Sequence, residues 1–520
     1  MHIKIKVGPT TSTILKANTQ ILTAISDLCS YQKVSERAKK YSKACQSGWD
    51  GKISLVDRFS GNVPTGLVPK IVRWLKDEGH TVELEKHLPS TNESKKLEEI
   101  HAGPRLRVYQ REAVSKFIRA KRGILQLPTG AGKTEIAVGI VGELKRNTIF
   151  FVHTKELVKQ AKERFELYYP TVKIGSIGDG NIDPGPITIA SIQTISSWLI
   201  PPKEPVQKST ELTTVFQERY QKYLDKMEEW KTLNDRAKKF LSKFPVAIFD
   251  ECHHLAADTF FTCAQACEGA EYLLALSATP FRDDGADLLI EAGSGSTIYS
   301  LTLSDLVKMG YLLPAEIHIH DYPPLPPMNL SSSYAEQYKV CITQNEDRNA
   351  KIVKIIKEEV SKGKTILVIC REIEHINLLS EACEFEKIDH RTVHAKTKDR
   401  EKRLEAFKNG DVPVLIGSTI FDEGVDIPAV DVIILAGAGK SRVKSYQRIG
   451  RSLRIFPGKT FSIIHDFRDQ VKPFYYHSLE RLKLYNAEDC FTVIKHYKKK
   501  ERNVIKKQLM ISKKLEMFDV

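Results

Sequence analysis

Five short apolar runs, at residues 123–127, 148–152, 187–190, 246–249 and 272–276, stand between charged and polar stretches in the first part of the chain. They run on without alternation, which suits strands buried on both faces, and together they predict a parallel sheet covered by helices. Runs at 365–369, 414–417 and 432–435 predict a second sheet of the same kind. The opening Met1-His-Ile-Lys-Ile-Lys6 does alternate, and predicts a strand rather than a cleaved leader. Residues 70–78 and 135–144 predict helices. Residues 210–243 are unusually charged, with helical composition and Met, Leu and Trp only at wide intervals. They predict a helical insertion over about 205–243, read as a solvated hairpin, with a DNA-gripping or partner arm as the alternative. A charged stretch at 90–99 sets off residues 1–90 as a small α+β domain.

At 520 residues the chain is long enough for several domains with sizeable cores. Its net charge of +14 suits a polyanionic partner, although a ribosome or an anionic membrane surface would attract the same charge. The nine cysteines form no paired framework, which fits a reducing cytoplasm. No apolar run approaches the roughly 20 residues that span a bilayer. The expectation is a soluble, cytoplasmic protein.

The chemistry concentrates in two short segments. Leu127-Pro-Thr-Gly-Ala-Gly-Lys-Thr134 lies between a predicted strand and a predicted helix. Thr129, Gly130 and Gly132 form a turn in which backbone N–H groups can surround phosphate oxygens. Lys133 supplies a compact charge for the β- and γ-phosphates of ATP, and the Thr134 hydroxyl is placed to ligate Mg²⁺. The strict form of this loop has glycine where Leu127 stands. The second segment, Asp250-Glu-Cys-His253, follows an apolar run, at the end of a strand where open α/β sheets bind ligands. Asp250 would hold the magnesium and Glu251 would polarise the attacking water. Cys252, His253, His254, Cys263 and Cys267 resemble a metal cluster in composition. Their spacing does not form tight ligand pairs, and core packing is the better reading.

On these residues the chain resembles a superfamily 2 helicase, in the variant where a Thr-Gly-x-Gly-Lys-Thr core suffices. Further matching segments follow in order. Leu106-Arg-Val-Tyr-Gln110 is similar to the adenine-reading segment, with Gln110 pairing to the base edge. Val152-His-Thr-Lys-Glu156 and Ala190-Ser-Ile-Gln-Thr194 are similar to segments that touch the nucleic-acid backbone, which implies contacts from Thr154, Gln193 and Thr194. Ser277-Ala-Thr-Pro280, followed by Phe281, Arg282 and Asp283, matches the segment that couples hydrolysis to strand contact. Gly417 to Pro428 and Gln447-Arg-Ile-Gly-Arg-Ser-Leu-Arg454 match the two defining segments of a second lobe. The resemblance implies an α/β fold of two tandem RecA-like parallel-sheet lobes, at 100–298 and 299–470. A small N-terminal α+β domain would precede them and a helical basic tail, 471–520, would follow. It also implies that Arg451 and Arg454 bring positive charge to the γ-phosphate as a cleft closes, with Gln447 nearby and Gly424 and Asp426 sensing the nucleotide.

A finer resemblance lies outside the motor. Ser47-Gly-Trp-Asp-Gly-Lys52, Leu55-Val-Asp57 and Pro64-Thr-Gly-Leu-Val68 look like the N-terminal domain of phage branch-migration helicases of the UvsW type. Residues 475–493 resemble their helical tail. This implies a DNA helicase, encoded by a bacteriophage and acting in the host cytoplasm, that remodels forks, Holliday junctions or displacement loops in recombination and repair. It would move 3′ to 5′ and act as a monomer. Lys52 and Arg58 are the candidate phosphate contacts of the small domain, and Trp49 fits a tight turn as well as it fits DNA. The lysines between 498 and 514 read either as a solvated helix or as a phosphate-binding tail. Three rival functions share the motor: an RNA helicase, a restriction-type duplex translocase that does not unwind, and an ATP-gated clamp. The complete set of Lys133, Asp250, Glu251, Arg451 and Arg454 argues against the clamp.

Overall fold

A computed structural model describes residues 1–33, 45, 48–87, 97, 100, 103–207, 212–252, 257–278, 287–323, 333–418, 430–437, 439, 449–450 and 452–497. The chain divides into two compact units, Met1–Leu301 and Thr302–Val520.

The alternating N-terminus forms the strand His2–Val7, with Ile3 and Ile5 fully buried. It lies in a four-stranded sheet, antiparallel to Thr11–Leu15 and parallel to Thr81–Lys86, with Asn62–Pro64 at the edge. The helices Thr19–Leu28 and Val68–Asp77 bury Ile25, Ile71 and Leu75 against it. This small domain is not self-contained. Its core takes in Ala292, with Phe261 and Leu288 packed alongside, from helices of the following lobe. A side chain at Gly66 would collide with the carbonyl oxygens of Glu291 and Ala292. Arg122 donates to the carbonyls of Gly293 and Pro9, and so ties the two sheets together. A sheet of this size buries too little apolar surface alone, and the neighbouring helices complete it.

All five apolar runs of the first lobe become strands of one eight-stranded sheet. Its order is Asn181–Asp183, Ile174–Gly178, Ile187–Ser191, Thr148–Val152, Val246–Phe249, Tyr272–Ser277, Arg122–Gln126 and Thr297–Ser300. Only the Asn181–Asp183 edge is antiparallel. Thr148–Val152 and Val246–Phe249 are buried at every position, as unalternating runs require. Just one strand, Tyr272–Ser277, separates the strand before the phosphate loop from the strand before the carboxylates.

The insertion is a single helix, Thr213–Leu241, and not the hairpin its composition suggested. Its charged sequence contains no turn signal that would fold it back on itself.

The second unit holds an all-parallel seven-stranded sheet: His390–Val393, Val414–Gly417, Ile366–Ile369, Val432–Ile434, Ser462–Phe467, Ala315–His320 and Phe491–His496. The expected helical tail is therefore only partly helical. After the helix Phe474–Asn486, the chain adds the edge strand Phe491–His496 to Ala315–His320. Its Thr-Val-Ile core favours an extended chain, and an open sheet edge was available to receive it. The basic stretch 498–514 lies outside the described residues.

Candidate nucleotide site and nucleic-acid contacts

The strand Arg122–Gln126 ends at Leu127, whose N–H donates to the Ser277 carbonyl at 2.8 Å. Gly130 and Gly132 then take φ of +89° and +73°, values that favour glycine. A Cβ on Gly132 would lie 2.5 Å from Gln110 Nε2 and 3.1 Å from Glu135 Oε2. The helix Lys133–Leu144 starts immediately afterwards, so free N–H groups and the positive end of the helix dipole face the loop. Leu127 explains the departure from the strict loop. It is fully buried beneath the turn, and its carbonyl accepts a hydrogen bond from Lys133 Nζ at 3.3 Å. Its backbone does not enter the left-handed region, so glycine is not needed there.

Asp250 is fixed by its own N–H, which donates to the Phe151 carbonyl at 2.9 Å. Glu251 adopts φ +47°, a strained conformation for a side-chain-bearing residue, at a cost of about 1–3 kcal/mol. That turn directs its N–H to Asp250 Oδ1 at 3.0 Å and its carboxylate to Lys133 Nζ at 2.9 Å. Burial, reinforced by the Glu251 charge, pushes the Asp250 carboxyl well above the usual range, and the nearby Lys133 offsets only part of this. A hard cation would restore its ionised form, so the Asp250 carboxylate and the Thr134 hydroxyl are suitable oxygen donors. Cys252, Cys263 and Cys267 pack in the first lobe's core, with the Cys267 thiol donating to the Cys263 carbonyl at 3.3 Å. His253 and His254 lie outside the described residues.

Gln110 is buried, and its amide is engaged by the protein itself. Oε1 accepts from the Arg107 N–H at 2.8 Å and Nε2 donates to the Ala131 carbonyl at 3.0 Å. The Tyr109 hydroxyl donates to the same carbonyl at 2.7 Å. These two side chains brace the phosphate loop. The role of Tyr109 was not visible in the sequence, where only its adjacency to Gln110 hinted at it.

The expected strand contacts are also partly occupied. The Thr154 hydroxyl caps the helix Lys155–Tyr168 by accepting from the Leu157 N–H at 3.2 Å. Gln193 donates to the His153 carbonyl and accepts from the Ser191 hydroxyl. Thr194 is half-buried in the first turn of Ile192–Leu199. In the small domain the Trp49 indole donates to the Lys52 carbonyl at 2.8 Å, forming the tight turn, and the Lys52 side chain is exposed. Arg58 is exposed, donating to the Ser26 hydroxyl at 2.8 Å and pairing with Asp27 at 3.4 Å. Arg282, Gly424, Asp426, Gln447 and Arg451 lie outside the described residues. Arg454 is exposed, and the chain before it is held firmly, because the Ser452 carbonyl accepts from both Lys459 Nζ and the Ser462 hydroxyl at 2.7 Å.

Two largely parallel α/β sheets, with a glycine-turned phosphate loop and an Asp-Glu pair at strand ends one strand apart, define a nucleotide-driven motor. Residues 104–282 match the family described as type III restriction enzyme, res subunit, and residues 347–456 match the helicase conserved C-terminal domain. The chain belongs to the superfamily 2 helicases and is an ATP-hydrolysing enzyme. It is 28% identical over 391 residues to the DNA 3′-5′ translocase XPB2 of Sulfurisphaera tokodaii, a match covering 67% of this chain and 78% of that protein. It is 25% identical over 455 residues to the ATP-dependent DNA helicase uvsW of Enterobacteria phage T4, covering 82% and 83% respectively. The solved structure of the DUF1998 helicase MrfA bound to DNA shares the fold across 73% of this chain and 48% of that one, with a TM-score of 0.50 and 16% identity.

Proposed function

We propose that this helicase remodels branched DNA, including forks, Holliday junctions and displacement loops, in recombination and repair, and that it translocates 3′ to 5′. One observation carries the reading: the similarity to the phage T4 helicase extends over 455 residues, well beyond the 104–456 span of the two motor segments. The small N-terminal domain shares its core with the lobe that bears the phosphate loop. A DNA contact made there would act on the motor through packed side chains rather than through a flexible linker.

The site suggests how hydrolysis is gated. Lys133 and Glu251 hold each other at 2.9 Å. A bound nucleotide would draw Lys133 onto its β- and γ-phosphates and free the Glu251 carboxylate to orient the attacking water. Magnesium, held by Thr134 and Asp250, would supply the charge that neutralises the phosphates. Arg451 and Arg454, with Gln447, are the proposed second-lobe donors of positive charge. The protein is proposed to work as a monomer in the cytoplasm.

The deciding experiment is ATP-dependent strand release by the purified protein from synthetic Holliday junctions and forks, with linear DNA duplex and RNA duplex as controls. Preferential release from branched DNA is the expected result. Equal release from RNA would move the assignment to an RNA helicase, and hydrolysis without release from any substrate would make it a pure translocase.

A further inference from the structure

The helix Thr213–Leu241 spans about 43 Å at 1.5 Å per residue, yet the first lobe buries only Asn234, Ala237 and Leu241 from it. Asn234 anchors this root by donating to the Leu199 carbonyl at 3.1 Å. The rest projects from the lobe and is flanked by the proline-rich strap 201–207. Between strap and helix lies a groove of about 340 Å³, walled by Pro202 and Pro205 and lined by Lys203, Arg219, Lys222, Tyr223 and Lys226.

The helix sorts its charge by face. At about 100° per residue, Arg219, Lys222, Tyr223 and Lys226 fall within one arc of about 100°. Glu218, Asp225, Glu228 and Glu229 fall in a separate arc, where Asp225 is held by Gln221 at 3.0 Å. Among the described residues, Lys203, Lys222 and Lys226 have no carboxylate partner. Bordering the basic arc, Phe216, Tyr220 and Tyr223 form a ladder of rings with centroids 5.9 and 5.7 Å apart. A solvated structural helix needs neither segregated cations nor a line of aromatic rings beside them. Cations that follow a backbone, next to aromatic faces on which bases can stack, are what binds single-stranded nucleic acid.

We propose that this strap and helix form an accessory groove for single-stranded DNA, in which Lys203, Lys222 and Lys226 hold phosphates and Tyr220 and Tyr223 stack on bases. Lys222 and Lys226 are four residues apart, about 6 Å along the helix axis, close to twice the ~3.4 Å per charge of one strand, so the pair can hold alternate phosphates. The inference rests on the reading of the chain as a DNA helicase. It assigns the insertion to the strand that the motor displaces.

The test measures binding of fluorescein-labelled oligo-dT and of linear duplex to the full chain across salt concentrations, without ATP. The Lys203→Glu/Lys222→Glu/Lys226→Glu variant should lose oligo-dT affinity by at least about tenfold, and its salt slope should fall by about 2. Tyr223→Ala should lose about tenfold on oligo-dT and little on duplex, and Tyr223→Phe should restore binding. Unchanged oligo-dT binding in the triple variant overturns the groove. So does an equal loss on duplex with Tyr223→Ala silent, which would mark a non-specific charged surface or a face for a protein partner. Because binding is read without hydrolysis, the result is independent of strand release, which tests the helicase reading itself.

Discussion

In the first sheet, Lys133, Asp250 and Glu251 gather at the strand ends, where one lysine faces two carboxylates, whereas in the second sheet buried carboxylates meet guanidinium groups. There Arg348 meets Asp469 at 3.2 Å and the Ala436 carbonyl at 2.7 Å. Arg481 meets Asp466 at 2.8 Å, and the Tyr485 hydroxyl donates to the same carboxylate at 2.7 Å. Burial pushes both Asp250 and Asp466 upward. At Asp466 the Arg481 guanidinium and its hydrogen bonds more than offset burial, and the carboxyl ends below its ordinary range. At Asp250 the neighbouring Glu251 adds to burial, and Lys133 does not reverse the shift. The same cost of burying charge is offset by a guanidinium in one lobe and only in part by Lys133 in the other.

The contrast can be broken most strongly at the first site. Lys133→Ala or Glu251→Gln should lower DNA-stimulated ATP hydrolysis by at least about 100-fold while leaving DNA binding and thermal stability near those of the parent. Near-normal turnover in either purified variant would remove the site assignment. In the second lobe the same type of change should act on the fold. Arg481→Ala leaves Asp466 buried without its cation and should cost about 3–5 kcal/mol, measured as loss of amide protection along Ser462–Phe467. Protection equal to the parent would show that Asp466 finds another partner.

A smaller effect sharpens the comparison through pH. His320 and His465 meet at 2.7 Å, and His318 and His496 at 2.8 Å, in a cluster spread over three adjacent strands. Burial, with His496, Lys351 and His318 around it, lowers His320 to about 3, against a weaker pull from Asp466. Burial, with the other three imidazoles and Lys362, lowers His465 to about 2. Both folded values lie below the unfolded value of about 6.5, so the folded state binds fewer protons than the unfolded one. Stability is fully present above about pH 6.5 and is lost as pH falls from there towards 3. Between pH 6.5 and 5 the loss should be about 2 kcal/mol per ring, and His320→Gln should flatten the dependence of second-lobe amide protection. An unchanged slope in that variant would mean that His320 takes up its proton over the same pH range in the folded and unfolded states.

The Lys133 loop and the Asp250-Glu251 pair were legible because their information is local. A glycine must supply a positive φ, and a carboxylate must follow a strand, within a few neighbouring residues. The apolar runs were legible for a similar reason, since a strand buried on both faces needs apolar side chains at successive positions. What the sequence concealed depends on partners far along the chain. The partners of Arg58, Ser26 and Asp27, lie about thirty residues before it, and the partner of the Gln110 amide, the Ala131 carbonyl, lies about twenty residues after it. The four histidines are scattered from 318 to 496 and become one cluster only when their strands pair. Residues 491–496 became a strand because an open edge lay beside them, and the N-terminal sheet lost its independence because Gly66 admits the Glu291–Ala292 backbone. Sequence by itself determined which residues could do the chemistry, because that depends on residue type and short spacing. Tertiary structure decided which partners each of them meets, because hydrogen bonds and ion pairs are set by packing between distant segments.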